Sequence, residues 1–194
     1  MMGSRIETLQ NARGFTLVEA LLIIAVMGIL SAMALSRIDV ARMQVNGAVQ
    51  ILSTTMVAAQ REAVTKQHDL ILIFDAANRR MQMVWDRNSN RIVDGGERVR
   101  PIPLDDRVSF GLGGAPPRPF GAAPINFNRV VNGLPALIFH RNGSASGVGG
   151  FYITTTRALN QAGYSDNTRA VEIVRATGRT EWFKYNGTIW VRGF

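Results

Sequence analysis

Three regimes of hydrophobic patterning succeed one another along the chain. Residues 15–35 read FTLVEALLIIAVMGILSAMAL, apolar on every side, with Glu19 the sole charge. About 20 such residues, rising ~1.5 Å each, cross a hydrocarbon layer of ~30 Å, so the run predicts a transmembrane helix. Beyond Leu35 the pattern turns periodic. Ala41, Val45, Ala48, Leu52, Met56, Ala59 and Ala63 recur at steps of three and four and mark one apolar helical face, with Arg42, Asn46, Gln50, Ser53, Gln60 and Arg61 opposite. All seven prolines lie between Pro101 and Pro135, so nothing breaks the first hundred residues by that mechanism. The two stretches together predict one helix from Phe15 to about Thr65, whose second half (36–66) needs a globular head to pack against. Gly28 and Gly47 are its weak points.

From Asp69 onward the period shortens to that of strands. Residues 70–74 and 80–85 predict a pair joined around Ala76-Ala77-Asn78, and further strands are expected over 97–102, 107–112, 136–140, 151–155 and 170–175. Residues 179–185 and 188–192 flank Asn186-Gly187, a strong signal for a hairpin turn in which both central residues take positive φ. Residues 113–135, rich in proline and glycine, and 143–150 are expected as irregular loops. Long helix and antiparallel strands together predict an α+β fold.

Composition narrows the chemistry. Of 194 residues, 46% are hydrophobic and 19% charged, which excludes wholesale disorder. The absence of cysteine excludes disulfides, thiolate nucleophiles and cysteine metal sites. The two histidines, His68 and His140, lack the neighbours that a catalytic or metal site requires, and no Gly-Lys-Ser/Thr follows the glycines at 143–150. Nothing in the sequence argues for catalysis or for a resident cofactor. The formal charge of +8 suits anionic lipid, nucleic acid or acidic proteins without choosing among them.

The start of the chain is more specific. Residues 1–14 are short and polar and end in Arg13-Gly14. A secretory signal peptide would carry an apolar region of about 7–15 residues before a small-residue cleavage site; this run is longer, and Ala32-Met33-Ala34 is a mediocre match. Glu19 stands out, because a carboxylate inside a spanning helix costs roughly 2.5–3.5 kcal/mol on insertion scales. If the chain is cut after Gly14, Glu19 falls in the first turns of the helix, where the helix dipole favours an anion.

Gly14-Phe15-Thr16-Leu17-Val18-Glu19 followed by the unbroken apolar run resembles the class III signal of type IV pilins and pseudopilins. The resemblance implies cleavage between Gly14 and Phe15 by a prepilin peptidase, N-methylation of Phe15, and pairing of Glu19 with the amino terminus of a neighbouring subunit during assembly. The helix lacks the proline that many members carry after the spanning part. The strand-rich segment is similar to the GspH/FimT head of minor pseudopilins and minor pilins, through the 70–85 strand pair, the 86–97 turn, Leu137-Ile138-Phe139 before Asn142-Gly143, and Gly178-Arg179. The organisation so implied is a leader (1–14), a transmembrane half-helix (15–35), an amphipathic half-helix (36–66) and a β-rich head (67–194). A single-pass protein of the bacterial inner membrane is expected, with its head in the periplasm or outside. Its partners would be lipid, the prepilin peptidase and other pseudopilins or pilins, in a type II secretion pseudopilus or a type IV pilus tip.

Two further patterns suggest binding. Asp86, Asn88, Asn90, Asp94 and Glu97 occupy the first, third, fifth, ninth and twelfth places of a twelve-residue loop, the spacing of an EF-hand calcium site, with Arg91 where the sharp turn wants glycine. The alternative is a polar hairpin whose Asn and Asp side chains hold turns. Arg179, Lys184 and Arg192, interleaved with Trp182, Phe183, Tyr185 and Trp190, could form a basic aromatic surface for DNA. Some FimT-like minor pilins take up DNA through arginines near the C-terminus, but here Thr180-Glu181 stands where a second arginine would follow Arg179. The alternative is aromatics alternating into the core while charges face water.

Overall fold

Thr16 opens the first helix. Its Oγ1 accepts a hydrogen bond from the Glu19 amide at 3.2 Å, satisfying one of the amides that the first turn leaves without a partner. The helix, α1, runs Leu17–Leu35. The computed structural model describes residues 15–35, the last three by their backbone alone, and 40–193. The expected leader (1–14, with Gly14), the junction at 36–39 on which a single uninterrupted helix depends, and residue 194 lie outside the described residues. Two compact units result, Met1–Asp39 and Val40–Phe194.

Within the first unit, α1 leaves its large apolar side chains exposed on all sides, among them Leu17 (76%), Ile24 (67%) and Leu30 (59%). Among the described residues no helix is long and apolar enough to cross a membrane. The 19 residues of α1 reach about 28 Å at ~1.5 Å each, just under the ~30 Å of a hydrocarbon core.

The second unit begins with α2, Val40–Lys66, which buries Val45, Ala48, Val49, Leu52, Ser53, Met56, Ala59 and Ala63. Six of these lie on the face set by the three-four periodicity, and Ala41 is half-buried. Ser53, expected on the solvated side, is buried instead: it lies one turn beyond Val49 at the margin of the stripe, where its small side chain fits.

Among the described residues eleven strands, all paired antiparallel, form two sheets. The first comprises β1 (Asp69–Asp75), β2 (Arg80–Asp86), β3 (Val99–Pro103), β6 (Arg129–Val131) and β7 (Leu134–Phe139), in the order β3-β2-β1-β7-β6. The second has the order β11-β10-β9-β8-β4, from β4 (Val108–Phe110), β8 (Gly149–Thr155), β9 (Arg169–Val174), β10 (Arg179–Tyr185) and β11 (Trp190–Arg192), with β5 (Ile125–Phe127) also on β8. The fold class is therefore α+β.

Strand β1 explains its own unbroken apolar run. Leu70, Leu72 and Phe74 face the main core, shared with the α2 stripe and with Phe110, Phe127, Phe151, Val171 and Ile173 of the second sheet. Ile71 and Ile73 face the other way into a smaller core with Val84, Val131, Ala136 and Ile138. Both faces of the strand are covered, so alternation disappears. Phe74 lies 4.9 Å from Phe127, 5.0 Å from Phe151 and 6.2 Å from Phe110, ring centre to ring centre.

Several expectations are corrected. Residues 113–135 are not wholly irregular, because β5 and β6 lie within them; at three residues each they are too short for alternation to register. Residues 143–150 likewise contain the start of β8. There Gly149 and Gly150 permit close approach: a Cβ would fall 2.0 Å from the Asn126 carbonyl oxygen and 2.2 Å from that of Val171. A short helix, α3 (Thr156–Asn160), capped by the Thr155 hydroxyl, follows β8. At Asn186-Gly187 only Gly187 has positive φ, and Tyr185 pairs with Trp190 across a four-residue loop in which Asn186 Oδ1 accepts from the amides of Thr188 and Ile189. The two-residue hairpin expected there occurs instead at Asn132-Gly133, with φ of 52° and 76°, between the paired Val131 and Leu134.

Phe74→Ala removes the ring on which the phenylalanine cluster converges and should cost about 3–5 kcal/mol, read as a lowered urea midpoint with an unchanged slope.

Candidate functional site

The N-terminal candidates sit in the first unit. Gly14 lies outside the described residues, and Phe15, immediately before α1, is 72% exposed. Thr16, Leu17, Val18 and Glu19 form an S/T-x-x-E sequence of the kind that caps helices, and the bond from the Glu19 amide to the Thr16 hydroxyl is half of that arrangement. The threonine was a readable signal that the charge of Glu19 overshadowed. Glu19 is exposed, in the first turn, where the helix dipole stabilises a carboxylate. Phe15 and Glu19 are thus presented at one helix end.

The loop from 86 to 97 is a polar turn held by bonds among its own groups, although Glu97 Oε1 is buried without a hydrogen-bond partner among the described residues. Asp86 is fully buried and accepts from the amides of Asn90 (3.1 Å) and Arg91 (2.7 Å). Asn88 Oδ1 accepts from the Asn90 amide, and Asn90 Oδ1 from the Ile92 amide. Asp94 Oδ2 receives the side-chain amides of Asn88 at 2.9 Å and Asn90 at 2.7 Å, while Glu97 Oε2 accepts from the Asp94 amide. The Asn88 amide first, and that of Asn90 second, hold Asp94 below its ordinary carboxylate value, against the opposing effect of burial. Among the described residues no three acidic or histidine side chains are grouped closely enough to hold a metal ion. Five oxygen-bearing side chains do share one loop, as the spacing required, but their bonds run to the loop's own N–H groups.

The basic residues near the C-terminus do not converge. Arg179 and Arg192 both bond the Glu181 carboxylate, the latter at 3.0 Å, so two of the three cations share one anion. Lys184 alternates with them onto the opposite face of β10, beside Trp182, which packs on the main core. The aromatics are covered as well. Tyr185 is buried, the Arg118 guanidinium lies 3.6 Å from the Phe183 ring centre, and Trp190 Nε1 donates to the Pro116 carbonyl at 3.0 Å. Arg118 also bonds Glu172, and its amide donates to the Tyr152 hydroxyl at 2.7 Å. The loop before β5 is thereby fastened over the rings that stacking with bases would need.

Two arginines that carry no sequence signal border the same cleft. Arg129 on β6 and Arg175 just after β9 line one cleft of about 210 Å³, floored by Phe127, Ala136 and Leu137. They come from distant stretches of chain, and only the crossing of β5 and β6 between the sheets brings them together.

Residues 9–35 match the family described as the prokaryotic N-terminal methylation motif. That segment includes Gly14, Phe15 and Glu19, so at its N-terminus the chain is prepilin-like. No curated protein matches the chain. Two solved structures resemble it, both of the minor pseudopilin EpsH from the type 2 secretion system of Vibrio cholerae. One is 12% identical, covers 73% of this chain and 97% of its own, and has a TM-score of 0.49. The other is 13% identical, covers 72% and 95%, and has a TM-score of 0.43. Likeness at that level transfers no residue role.

The 86–97 loop makes a pH prediction. Because the folded-state pKa of Asp94 is depressed, its contribution is complete above the ordinary value of 3.8 and is lost as pH falls through the lower folded value. The side-chain amide resonances of Asn88 and Asn90 should therefore hold their positions down to that region and move together below it.

Proposed function

We propose that this chain is a structural, pilin-like subunit: a minor pseudopilin or minor pilin made as a precursor, cut between Gly14 and Phe15, methylated on Phe15 and assembled with other pilin-like proteins into a filament. Residues 15–35 anchor it in the bacterial inner membrane before assembly, with the head beyond the far face. A type II secretion pseudopilus is the apparatus we favour, the one to which the proteins of the two similar structures belong. It acts as substrate of a prepilin peptidase rather than as an enzyme.

One observation carries this reading: the matched motif coincides with a Thr16-capped helix whose apolar side chains are exposed all round. Each large apolar side chain left in water forgoes roughly 1.5–3 kcal/mol, so α1 requires lipid or the helices of neighbouring subunits. With Phe15 and Thr16 before the helix the run amounts to 21 residues, within the length that a membrane core requires. Glu19 is then the costly group, and a new ammonium at Phe15 of an adjoining subunit is a counter-charge of suitable sign and position. The cost of one buried carboxylate thus becomes a device for setting the axial register between subunits.

The test has two parts. Mass spectrometry of protein from the membrane fraction should find N-methylated Phe15 as the first residue, and recovery of the intact precursor with Met1 from aqueous extract would overturn the proposal. Glu19→Ala should abolish incorporation into filaments while the thermal midpoint of the head stays within a degree or so of wild type, since Glu19 makes no part of the head core.

A further inference from the structure

We infer that the cleft between Arg129 and Arg175 is a docking site for an extended, acidic segment of a partner protein, which adds to the free edge of β6 and places a carboxylate between the two guanidinium groups. β6 is the last strand of the five-stranded sheet, so one side of its backbone has no strand partner among the described residues. Such an edge recruits an extended chain through main-chain hydrogen bonds, with specificity supplied by pockets for alternate side chains. The opposite edge of the same sheet, β3, carries Pro101 and Pro103, and a residue without an N–H cannot complete a ladder. β6 has no proline. The two edges are therefore unequal, and only one is open to pairing.

The cleft beside that edge supplies the pocket. At the Asn128 crossing the chain leaves β5 on the second sheet for β6 on the first, and β7 resumes edge pairing further along through Ser146, whose amide donates to the Ile138 carbonyl at 2.8 Å. The gap between these pairings is the 210 Å³ cleft, large enough for one side chain. Arg129 and Arg175 line it and are exposed, and their side chains make no hydrogen bond or ion pair among the described residues. Other arginines with carboxylates in reach have taken them, as Arg79, Arg80, Arg118, Arg179 and Arg192 do. A guanidinium matches a carboxylate in charge and in its planar, two-pronged geometry. Val130 and Val148, each 60% exposed, flank the site and offer apolar contact to residues on either side of that carboxylate. A second depression of about 450 Å³, floored in part by Phe120 and Ile173, shares Asn128 and Val148 with the first and extends the trough.

The chemistry favours a peptide over nucleic acid. Phosphate tracking requires a row of cations, whereas this trough has two at one end and, at the other, the Glu172 carboxylate already paired with Arg118. An extended chain with one acidic residue among apolar ones fits both ends.

The full chain in detergent micelles should bind a fluorescein-labelled peptide of alternating valine and glutamate, measured by fluorescence anisotropy at low salt. Arg129→Glu with Arg175→Glu should weaken binding at least tenfold and raise affinity for the valine–lysine counterpart. Arg129→Gln with Arg175→Gln should give the same loss without charge reversal. Arg87→Glu with Arg100→Glu, remote from the cleft and equal in charge change, should leave the affinity within about twofold. The thermal midpoint of each variant verifies folding. The proposal is overturned if the wild-type chain binds no peptide, or if both double substitutions at 129 and 175 leave binding unchanged, as when Arg129 merely guards the edge against self-pairing. A DNA oligonucleotide that binds through the same two arginines in preference to the peptide would overturn it equally.

Discussion

The head depends on a helix stripe that belongs to both sheets at once. Val45, Val49, Leu52, Met56, Ala59 and Ala63 of α2 share one core with Leu70, Leu72 and Phe74 of the first sheet and with Phe151, Ile153, Val171 and Ile173 of the second. The stripe thus covers the inner faces of both sheets at once. The polar bonds follow the same plan. Arg42 bonds Asp166, and Arg169, wholly buried, reaches Asn46 at 2.9 Å, so the start of α2 is fixed to the stretch that introduces β9. A buried guanidinium is tolerable only where such partners await it.

Much of this was legible because period and burial coincide. The α2 stripe is read from spacing, and β1 from a run of apolar residues too continuous for a half-exposed strand. The short strands were not legible. β5 and β6 lie among prolines and glycines whose local meaning is irregularity, and they exist because longer strands offer them edges, which is a tertiary cause. The two Asn-Gly pairs make the same point from opposite sides. At 132–133 the residues between the strands number two and the turn forms; at 186–187 Thr188 and Ile189 join the loop instead, drawn by bonds to the Asn186 side chain.

The candidate sites divide along the same line. The placement of Phe15 and Glu19 at a helix start was legible because its signals are local: a capping threonine, a lone charge, an apolar run. The pairing of the C-terminal arginines was not legible, because sequence spacing hides the cross-strand position of Glu181, which lies beside both Arg179 and Arg192 only once the hairpin closes. The 86–97 loop kept its polar residues together, but for bonds among themselves. Arg129 and Arg175 had no local signal, since their proximity is a product of two sheets meeting.

The tie between Asn46 and Arg169 has a consequence for biogenesis. Helix α2 is synthesised early and β1 follows it at once, yet the arginine that locks its first turns lies 123 residues beyond Asn46, and β8 and β9 of the second sheet likewise come late. Closing so long a stretch costs entropy before any contact repays it, so condensation waits for nearly the entire polypeptide. Until then the nascent molecule carries a second greasy surface besides α1, and whatever escorts it from the ribosome has two such surfaces to shield rather than one.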